Sequence, residues 1–233
     1  MGLSPVIVAL DVPTAREALA VVDATSDYVD IYKVGPILFM RHGPSLLKEL
    51  SAMGKRVFLD LKLHDIPNTV RGAVLAAAEL GVFMLTLHLC GGRAMLEAAV
   101  EAASGSGLLL LGVSVLTSMD DARLEEVGVP GGCASQVERL VRLGLESGIG
   151  GFVCSPLEVS ALRGLVGDAT LVVPGVRPKG SAADDQKRVA TPREAVEAGA
   201  DYIVVGRPIY ASDDPRAAAE SIYRSVEDIR KSC

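Results

Sequence analysis

Several features that would indicate a secreted, membrane or zinc-binding protein are missing from this sequence of 233 residues. No basic, apolar leader precedes the first strand-like run. The longest apolar stretch, 108–116, is interrupted by Gly112 and Ser114 and is too short to span a bilayer. No C-x-x-C spacing occurs, which argues against a zinc site or a disulfide framework. We therefore expect a soluble cytoplasmic protein with reduced cysteines, namely Cys90, Cys133, Cys154 and Cys233.

A basic charge balance is missing as well. The formal net charge is -6, whereas proteins that bind nucleic acid usually carry a basic surface. We expect no nucleic acid partner, although a local cationic site for one small phosphate is compatible with this charge. The composition, with 49% hydrophobic and 22% charged residues, is typical of a soluble globular protein.

What the sequence does contain is a repeat of short apolar, β-rich runs at intervals of roughly 20–35 residues, separated by stretches with helical periodicity. Continuous apolar runs are typical of parallel strands buried on both faces. Eight βα units need about 250 residues, so we predict one α/β domain, a single (β/α)8 TIM barrel over residues 1–233. An open doubly wound sheet is the alternative, but neither of its nucleotide-binding fingerprints occurs. The predicted strands are Val6–Leu10, Val29–Lys33, Val57–Lys62, Phe83–His88, Leu109–Leu116, Phe152–Cys154, Leu171–Val173 and Tyr202–Val205.

Several helix starts are marked in the sequence. Serine or threonine followed three residues later by glutamate is a capping box, and it predicts helices after Thr14, Ser155 and Thr191. Proline at the first helical position strengthens the last two predictions, because its missing N–H has no partner there in any case. Asp214 before Pro215 predicts the start of the final helix in the same way.

Polar residues follow the predicted strands, and the active sites of such barrels lie at the carboxyl ends of the strands. Any strand must end in something polar, so a lone residue such as Asp11 carries little weight. The concentration of charge at one rim indicates an active site more strongly. His88 is either a hydrogen-bonded structural histidine or a substrate contact. The residues at these ends are Asp11, Lys33, Asp60, Lys62, His88, Thr117, Ser118, Ser155, Pro174, Gly206 and Arg207.

The densest polar feature is the segment 58–69. Strand alternation puts Asp60 and Lys62 on one face, opposite the leucines of the same strand, so both charges point into the barrel mouth. Burying both is costly unless they are paired, and a structural salt bridge is the alternative reading. Asp65 follows in a loop stiffened by Pro67, which favours an active site.

The residues after the last strand indicate a phosphate site. Gly206 lets a ligand approach the backbone closely, and Arg207 offers a bidentate cation. Phosphate sites in these barrels are commonly built after strands seven and eight. The polar loop Gly175–Arg188 lies beside this position, and we expect it to close over a ligand; simple surface disorder is the alternative.

The segment Asp60–Thr69 reads D-L-K-L-H-D-I-P-N-T and closely resembles the D-x-K-x-x-D-I-P-x-T signature of the orotidine 5'-monophosphate decarboxylases. The D-x-K-x-x-D part alone is not specific, because related sugar-phosphate enzymes share it. The likeness extends over nearly the whole chain, and its spacing is similar to that of the bacterial branch. The further matching segments are Leu10–Pro13, Tyr32–Gly35, Leu116–Ser118, Val173–Arg177, Gln186 and Val205–Ile209.

The resemblance implies a homodimer that decarboxylates orotidine monophosphate to uridine monophosphate, the last step of de novo pyrimidine nucleotide synthesis, without a cofactor or metal. It implies that Lys62 donates the proton to C6 within an alternating network of Lys33, Asp60, Lys62 and Asp65. Asp65 and Thr69 would reach the neighbouring subunit's site. The other implied contacts are Asp11 and Lys33 with the ribose, Thr117 and Ser118 with the pyrimidine edge, and Arg177, Gln186, Gly206 and Arg207 with the phosphate, with Ile66 and Pro174 completing the substrate site.

Two other functions stay open. A magnesium-dependent decarboxylase or aldolase acting on a ketose phosphate also carries D-x-K-x-x-D, but such enzymes resemble one another in having an acidic residue near the end of strand two. Here that position is Lys33, a cation that would repel a metal. A non-catalytic nucleotide-binding barrel would keep Arg207 but has no need for two lysines and two carboxylates at one rim.

Overall fold

The protein forms a closed barrel of eight parallel strands in a computed structural model that describes residues 3–178 and 190–230. Each strand pairs with the next along the chain, and the eighth pairs with the first. The predicted (β/α)8 barrel is therefore confirmed. The strands are β1 Val6–Ala9, β2 Ile31–Val34, β3 Arg56–Leu63, β4 Met84–His88, β5 Leu109–Val113, β6 Gly151–Val153, β7 Thr170–Val173 and β8 Tyr202–Val205.

Helices follow the strands and cover the outside of the barrel. None of the helices in the described part of the chain is long and apolar enough to cross a membrane. A short 3-10 turn at Leu89–Gly91 precedes the fourth helix. The helices are α1 Ala15–Thr25, α2 Pro36–Ala52, α3 Pro67–Glu79, α4 Arg93–Ala103, α5 Asp121–Glu126, α6 Gly132–Glu146, α7 Val159–Val166, α8 Pro192–Glu197, α9 Arg207–Tyr210, α10 Pro215–Arg224 and α11 Glu227–Arg230.

The largest error in the predicted strands concerns β5, which ends at Val113 rather than at Leu116. Val113 pairs with Val153, which is the last residue of β6. Beyond this point β5 has no neighbouring strand on that side, so the apolar run continues as a loop. Thr117 is therefore carried by a loop above the strand end.

Most of the predicted helix starts are confirmed. Thr14 and Thr191 both form complete capping boxes, in which the threonine hydroxyl and the glutamate carboxylate each accept a backbone hydrogen bond. Asp214 caps α10 by accepting from the N–H of Ala217 at 3.0 Å. This helix is not the final one, because α11 follows it.

The helix start predicted at Ser155 is wrong, because α7 begins at Val159. Half of the expected capping box is present, since the Ser155 N–H donates to Glu158 Oε2 at 2.9 Å. The Ser155 hydroxyl, however, is buried without a hydrogen-bond partner among the described residues. It packs in the interior instead of over the first N–H groups of a helix, and the chain makes a turn before α7 begins.

The core has two layers, and the alternation of each strand sorts its side chains between them. Side chains on the outer face, such as Leu59 and Leu85, pack against the helices. Those on the inner face fill the barrel itself, and the charged residues of the strand ends lie above them. The inner layer consists of Ile7, Ala9, Ile31, Phe58, Met84, Leu111, Val172 and Val204.

Candidate active site

A cavity of about 260 Å³ opens at the carboxyl ends of the strands. It brings together most of the residues predicted for the site, although they come from six different strands and their loops. The inner side chains Phe58, Val172 and Val204 form part of its floor. The predicted residues that line it are Asp11, Lys33, Asp60, Lys62, Thr117, Pro174, Arg177, Gly206 and Arg207.

Four of these side chains form a row of alternating charge. The Lys33 ammonium lies 3.1 Å from Asp11 Oδ1 and 3.6 Å from Asp60 Oδ2. The Lys62 ammonium lies 2.7 Å from the other oxygen, Asp60 Oδ1. Asp60 is therefore held between two cations, and the row carries no net charge.

The central carboxylate of this row stays ionised despite being buried. Burial by itself would raise the pKa of Asp60, because a low-dielectric environment disfavours the charged form. The positive charges of Lys33 and Lys62 and the hydrogen bonds from Lys62 and Thr86 outweigh it, so the pKa of Asp60 lies below its ordinary value. The site thus keeps a fixed negative charge beside the Lys62 ammonium.

Lys62 has an unusual backbone. Its φ of 49° is the one positive value of a non-glycine residue among the described residues. The pairing of β3 with β4 shifts in register between Leu59 and Leu63, around this lysine. Such irregularities re-aim side chains and are over-represented next to active sites. The simple alternation used to predict its direction thus holds only up to Asp60.

Two glycines leave room for the site. A Cβ atom at Gly35 would lie 3.3 Å from Asp11 Oδ1 and 3.6 Å from Lys33 Nζ, so a larger residue would crowd that ion pair. A Cβ atom at Gly206 would lie 3.4 Å from the Tyr210 ring. Tyr210 also lines the cavity but was missed in the sequence analysis, because its position one helical turn after Gly206 becomes evident only once α9 is known.

Among the described residues, Asp65, Ile66, Thr69 and Ser118 do not line the cavity of a single chain. Asp65, Ile66 and Thr69 are exposed, and Asp65 Oδ1 accepts from the N–H of Ile66 at 2.7 Å. Ser118 is exposed too, with its carbonyl accepting from Arg123 at 2.9 Å. The roles of Asp65, Thr69 and Ser118 therefore stay predictions. Gln186 and most of the loop Gly175–Arg188 lie outside the described residues.

His88 lies beside the cavity and does not line it. Its ring centroid is 5.7 Å from that of His64. Burial, the charge of His64 and that of Lys62 together lower the pKa of His88. A neutral imidazole next to the charge row fits either of the two predicted roles, so the choice between them stays open.

The fold and the cavity together define a (β/α)8-barrel enzyme with its charged site at the strand ends. A family model for the orotidine 5'-phosphate decarboxylase / HUMPS family matches residues 4–222. The chain therefore belongs to this family.

Named relatives agree with this assignment. An orotidine 5'-phosphate decarboxylase of Opitutus terrae is 50% identical over 95% of this chain and 97% of its own length. One from Anaeromyxobacter sp. (strain K) is 53% identical over 92% of this chain and 94% of its own. The crystal structure of orotidine 5'-phosphate decarboxylase from Lactobacillus acidophilus superposes with a TM-score of 0.84 at 39% identity, covering 95% of this chain and 98% of that one.

Proposed function

We propose that this chain is a carboxy-lyase that converts orotidine 5'-monophosphate to uridine 5'-monophosphate, the last step of de novo pyrimidine nucleotide synthesis. The observation that carries the proposal is the Lys62 ammonium, 2.7 Å from the buried Asp60 carboxylate in a cavity that two arginines also line. We infer one catalytic domain over residues 1–233 that works in the cytoplasm, in keeping with the free thiol of the exposed Cys90.

The reaction needs a charge that is in place before the bond breaks. When the bond between C6 and the carboxylate carbon breaks, CO2 leaves and the electron pair remains on C6 in the plane of the ring. That pair is out of conjugation with the ring carbonyls, so the substrate offers no electron sink. The Lys62 ammonium stabilises the pair electrostatically, donates its proton to C6, and regains a proton from solvent.

The size of this effect shows what else must contribute. An ammonium about 4 Å from the developing anion is worth ~4 kcal/mol at an effective dielectric near 20, or about a thousandfold in rate. Enzymes commonly lower barriers by ~8–23 kcal/mol, so Lys62 alone is insufficient. Binding energy from the distant phosphate, used to close the site over the substrate, is the source we propose for the remainder.

The charge row supports a mechanism without a metal. Lys33 stands between Asp11 and Asp60, at 3.1 and 3.6 Å, and neutralises the carboxylates that a cation would otherwise use. Asp60 holds Lys62 charged and oriented. Asp11 and Lys33 are well placed for the ribose hydroxyls, since hydroxyl groups can both donate to the carboxylate and accept from the ammonium.

The two ends of the substrate are assigned from the cavity lining. Arg177 and Arg207 are its two arginines, and together with the Gly206 backbone they form a cationic end for the phosphate. We assign Thr117 and Ser118 to the pyrimidine edge and Pro174 to a further substrate contact, in keeping with Thr117 and Pro174 lining the cavity. Gln186 is proposed as a further phosphate ligand on the basis of the family resemblance alone.

We further propose that the protein is a homodimer in which Asp65 and Thr69 complete the partner's site. Asp65, Ile66 and Thr69 do not line the cavity of their own chain, and Ile66 between the two polar residues is 66% exposed. Burying this apolar side chain against another surface would be favourable. Asp65 would then place a second carboxylate near the Lys62 of the neighbouring subunit.

Turnover of orotidine 5'-monophosphate, followed by loss of the orotate chromophore, tests the activity directly. We expect full activity in EDTA, whereas EDTA sensitivity would favour a magnesium-dependent ketose-phosphate enzyme. In Lys62→Ala, turnover should fall at least about a thousandfold while uridine 5'-monophosphate still binds in calorimetry. Near-normal turnover of this variant would exclude Lys62 as the proton donor.

Mixing two inactive variants tests the shared site. In a heterodimer of Lys62→Ala and Asp65→Ala subunits, one site carries both substitutions and the other carries neither. Random reassortment makes half of the dimers mixed, so activity should return to about a quarter of the wild-type value. If Asp65 serves its own subunit, the mixture stays inactive, and each variant remixed with itself is the control.

A further inference from the structure

Thr86 in β4 joins the two charged residues of β3 that face the cavity. Its side chain is buried, with 1% of the residue exposed. The hydroxyl donates to Asp60 Oδ1 at 2.9 Å and accepts from the backbone N–H of Lys62, also at 2.9 Å. Because a hydroxyl has a single proton, these two hydrogen bonds fix its orientation.

The register of β3 against β4 explains why Lys62 needs this contact. Leu59 pairs with Leu85 and Leu63 with Leu87, so residues 60–62 lie opposite Thr86 alone. Extra residues in such an irregularity lose their ladder partners, and a buried N–H without a partner costs about 1–3 kcal/mol. The Thr86 hydroxyl takes the place of the missing partner, at the residue whose φ is 49°.

The same hydroxyl orients the carboxylate. Asp60 Oδ1 accepts from Thr86 and from the Lys62 ammonium at 2.7 Å, while Oδ2 faces Lys33 at 3.6 Å. Without the hydroxyl, the carboxylate could rotate towards Lys33. Threonine suits this position because its β-branched side chain has restricted χ1 freedom, so the direction of the hydroxyl is set by the strand itself.

We propose that Thr86 is a positioning residue for decarboxylation, which holds the Lys62 backbone and the Asp60 carboxylate so that the Lys62 ammonium points into the cavity. Thr86 itself does not line the cavity and acts through its two neighbours. This inference rests on the proposed function, because the geometry it protects is that of the proton donor.

Thr86→Val removes the hydroxyl and keeps the branched shape. We expect kcat to fall about 100-fold, as for a misplacement of roughly 1 Å at the reacting atoms. KM should change little, because the proposed phosphate and ribose contacts lie on other strands. Thr86→Ser keeps the hydroxyl but loses the branch, so it should recover most of the lost turnover.

Thr25→Val is the matched control. The Thr25 hydroxyl is also fully buried, donates to the Val21 carbonyl at 2.8 Å and shares a hydrogen bond with the Tyr32 hydroxyl at 2.8 Å. It lies in α1, away from the cavity lining. We expect this variant to lose about as much unfolding free energy as Thr86→Val while keeping its kcat per site. Calorimetry with uridine 5'-monophosphate counts the competent sites.

The outcomes separate the two proposals. A wild-type protein that does not turn over orotidine 5'-monophosphate overturns the proposed function. If the wild-type protein turns over the substrate and the Thr86→Val variant keeps a near-normal kcat per site, only the proposed role of Thr86 is overturned. Failure of Thr86→Ser to recover turnover, or an equal kcat loss in Thr25→Val, would likewise count against positioning by the hydroxyl.

Discussion

The two ends of the barrel use charge in different ways. At the amino end of the strands, most partners of the cations are backbone carbonyls. Arg163 donates to the carbonyl oxygens of Gly167, Ala169 and Gly199 at 2.6, 2.9 and 2.7 Å, and it also forms one ion pair, with Asp201 at 2.5 Å. Lys55 likewise donates to two carbonyl oxygens, those of Ser26 and Val29 in the segment between α1 and β2. At the carboxyl end, the ammonium groups of Lys33 and Lys62 are bound to ionised side chains around an open cavity.

This difference separates stability from function. A backbone carbonyl is neutral and fixed by the fold, so a cation bound to it ties loops together at little cost in repulsion. Ionised side chains crowded around a cavity gain less, because each must give up water. In these barrels the amino end generally serves stability and the carboxyl end catalysis. The two arrangements of charge agree with this division.

The largest effect is expected at the carboxyl end, where a substitution should abolish activity and leave the stability of the fold unchanged. Lys62→Ala should raise the barrier by at least ~4 kcal/mol. Its unfolding free energy should change little, because the lysine side chain is 35% exposed and Lys33 still pairs with Asp60. Denaturant unfolding measures this, with wild type as the control. A loss of stability as large as the loss of activity would remove the contrast between the two ends.

The opposite result is expected at the amino end. Arg163→Ala removes charged hydrogen bonds to three carbonyl groups and the ion pair with Asp201. We expect it to lose about 2–3 kcal/mol of unfolding free energy with an unchanged kcat. Arg142→Ala is the control, because Arg142 pairs only with Glu138 in the same helix among its described contacts and should cost within about 0.5 kcal/mol. An Arg163 variant as stable as this control would contradict the proposed division.

A smaller effect would sharpen the assignment of the carboxyl end. Arg207→Ala should weaken binding of uridine 5'-monophosphate by about 2 kcal/mol, the value of a charged hydrogen bond. Binding of uridine, which lacks the phosphate, should stay the same. Calorimetry with both ligands checks this. Equal losses for the two would show that Arg207 does not recognise the phosphate.

The smallest effect concerns pH. The pKa of His88 is lowered in the folded protein by burial, with contributions from His64 and Lys62, so the unfolded chain binds this proton more readily. Stability should therefore decline as the pH falls through the ordinary histidine value of about 6.5. In His88→Gln the decline of unfolding free energy between about pH 7.5 and 5.5 should be shallower. Parallel curves for the variant and the wild type would contradict this, and the values at the upper pH are the control.

Much of the fold could be predicted because it depends on local patterns. Tyr202–Val205 was predicted to the residue, and the capping boxes at Thr14 and Thr191 formed as expected. The spacing at Ser155 is the same, yet no helix starts there, because the serine is buried by surrounding elements. A local pattern therefore predicts an element only where tertiary packing does not compete with it.

The sequence predicted which residues belong to the site better than it predicted how they are arranged. The strand-end rule identified eight residues that line the cavity, because parallel strands bring their ends together whatever their register. The family resemblance added a ninth, Arg177. Thr86 and Tyr210 were missed. Thr86 is a polar residue inside an apolar run, a signal that could have been noticed, but its two hydrogen bonds follow from an irregular register that the sequence does not reveal.

The sequence alone determined the order of strands and helices, the rim of the barrel at which the charges lie, and the family. These depend on periodicity and on motifs of neighbouring residues. Only the tertiary structure decided that Asp60 lies between Lys33 and Lys62, that Lys62 takes a left-handed backbone, and that Asp65 does not line the cavity of its own chain. The physical reason is that these arrangements depend on how separate strands pair, so they are set by the closure and register of the whole barrel.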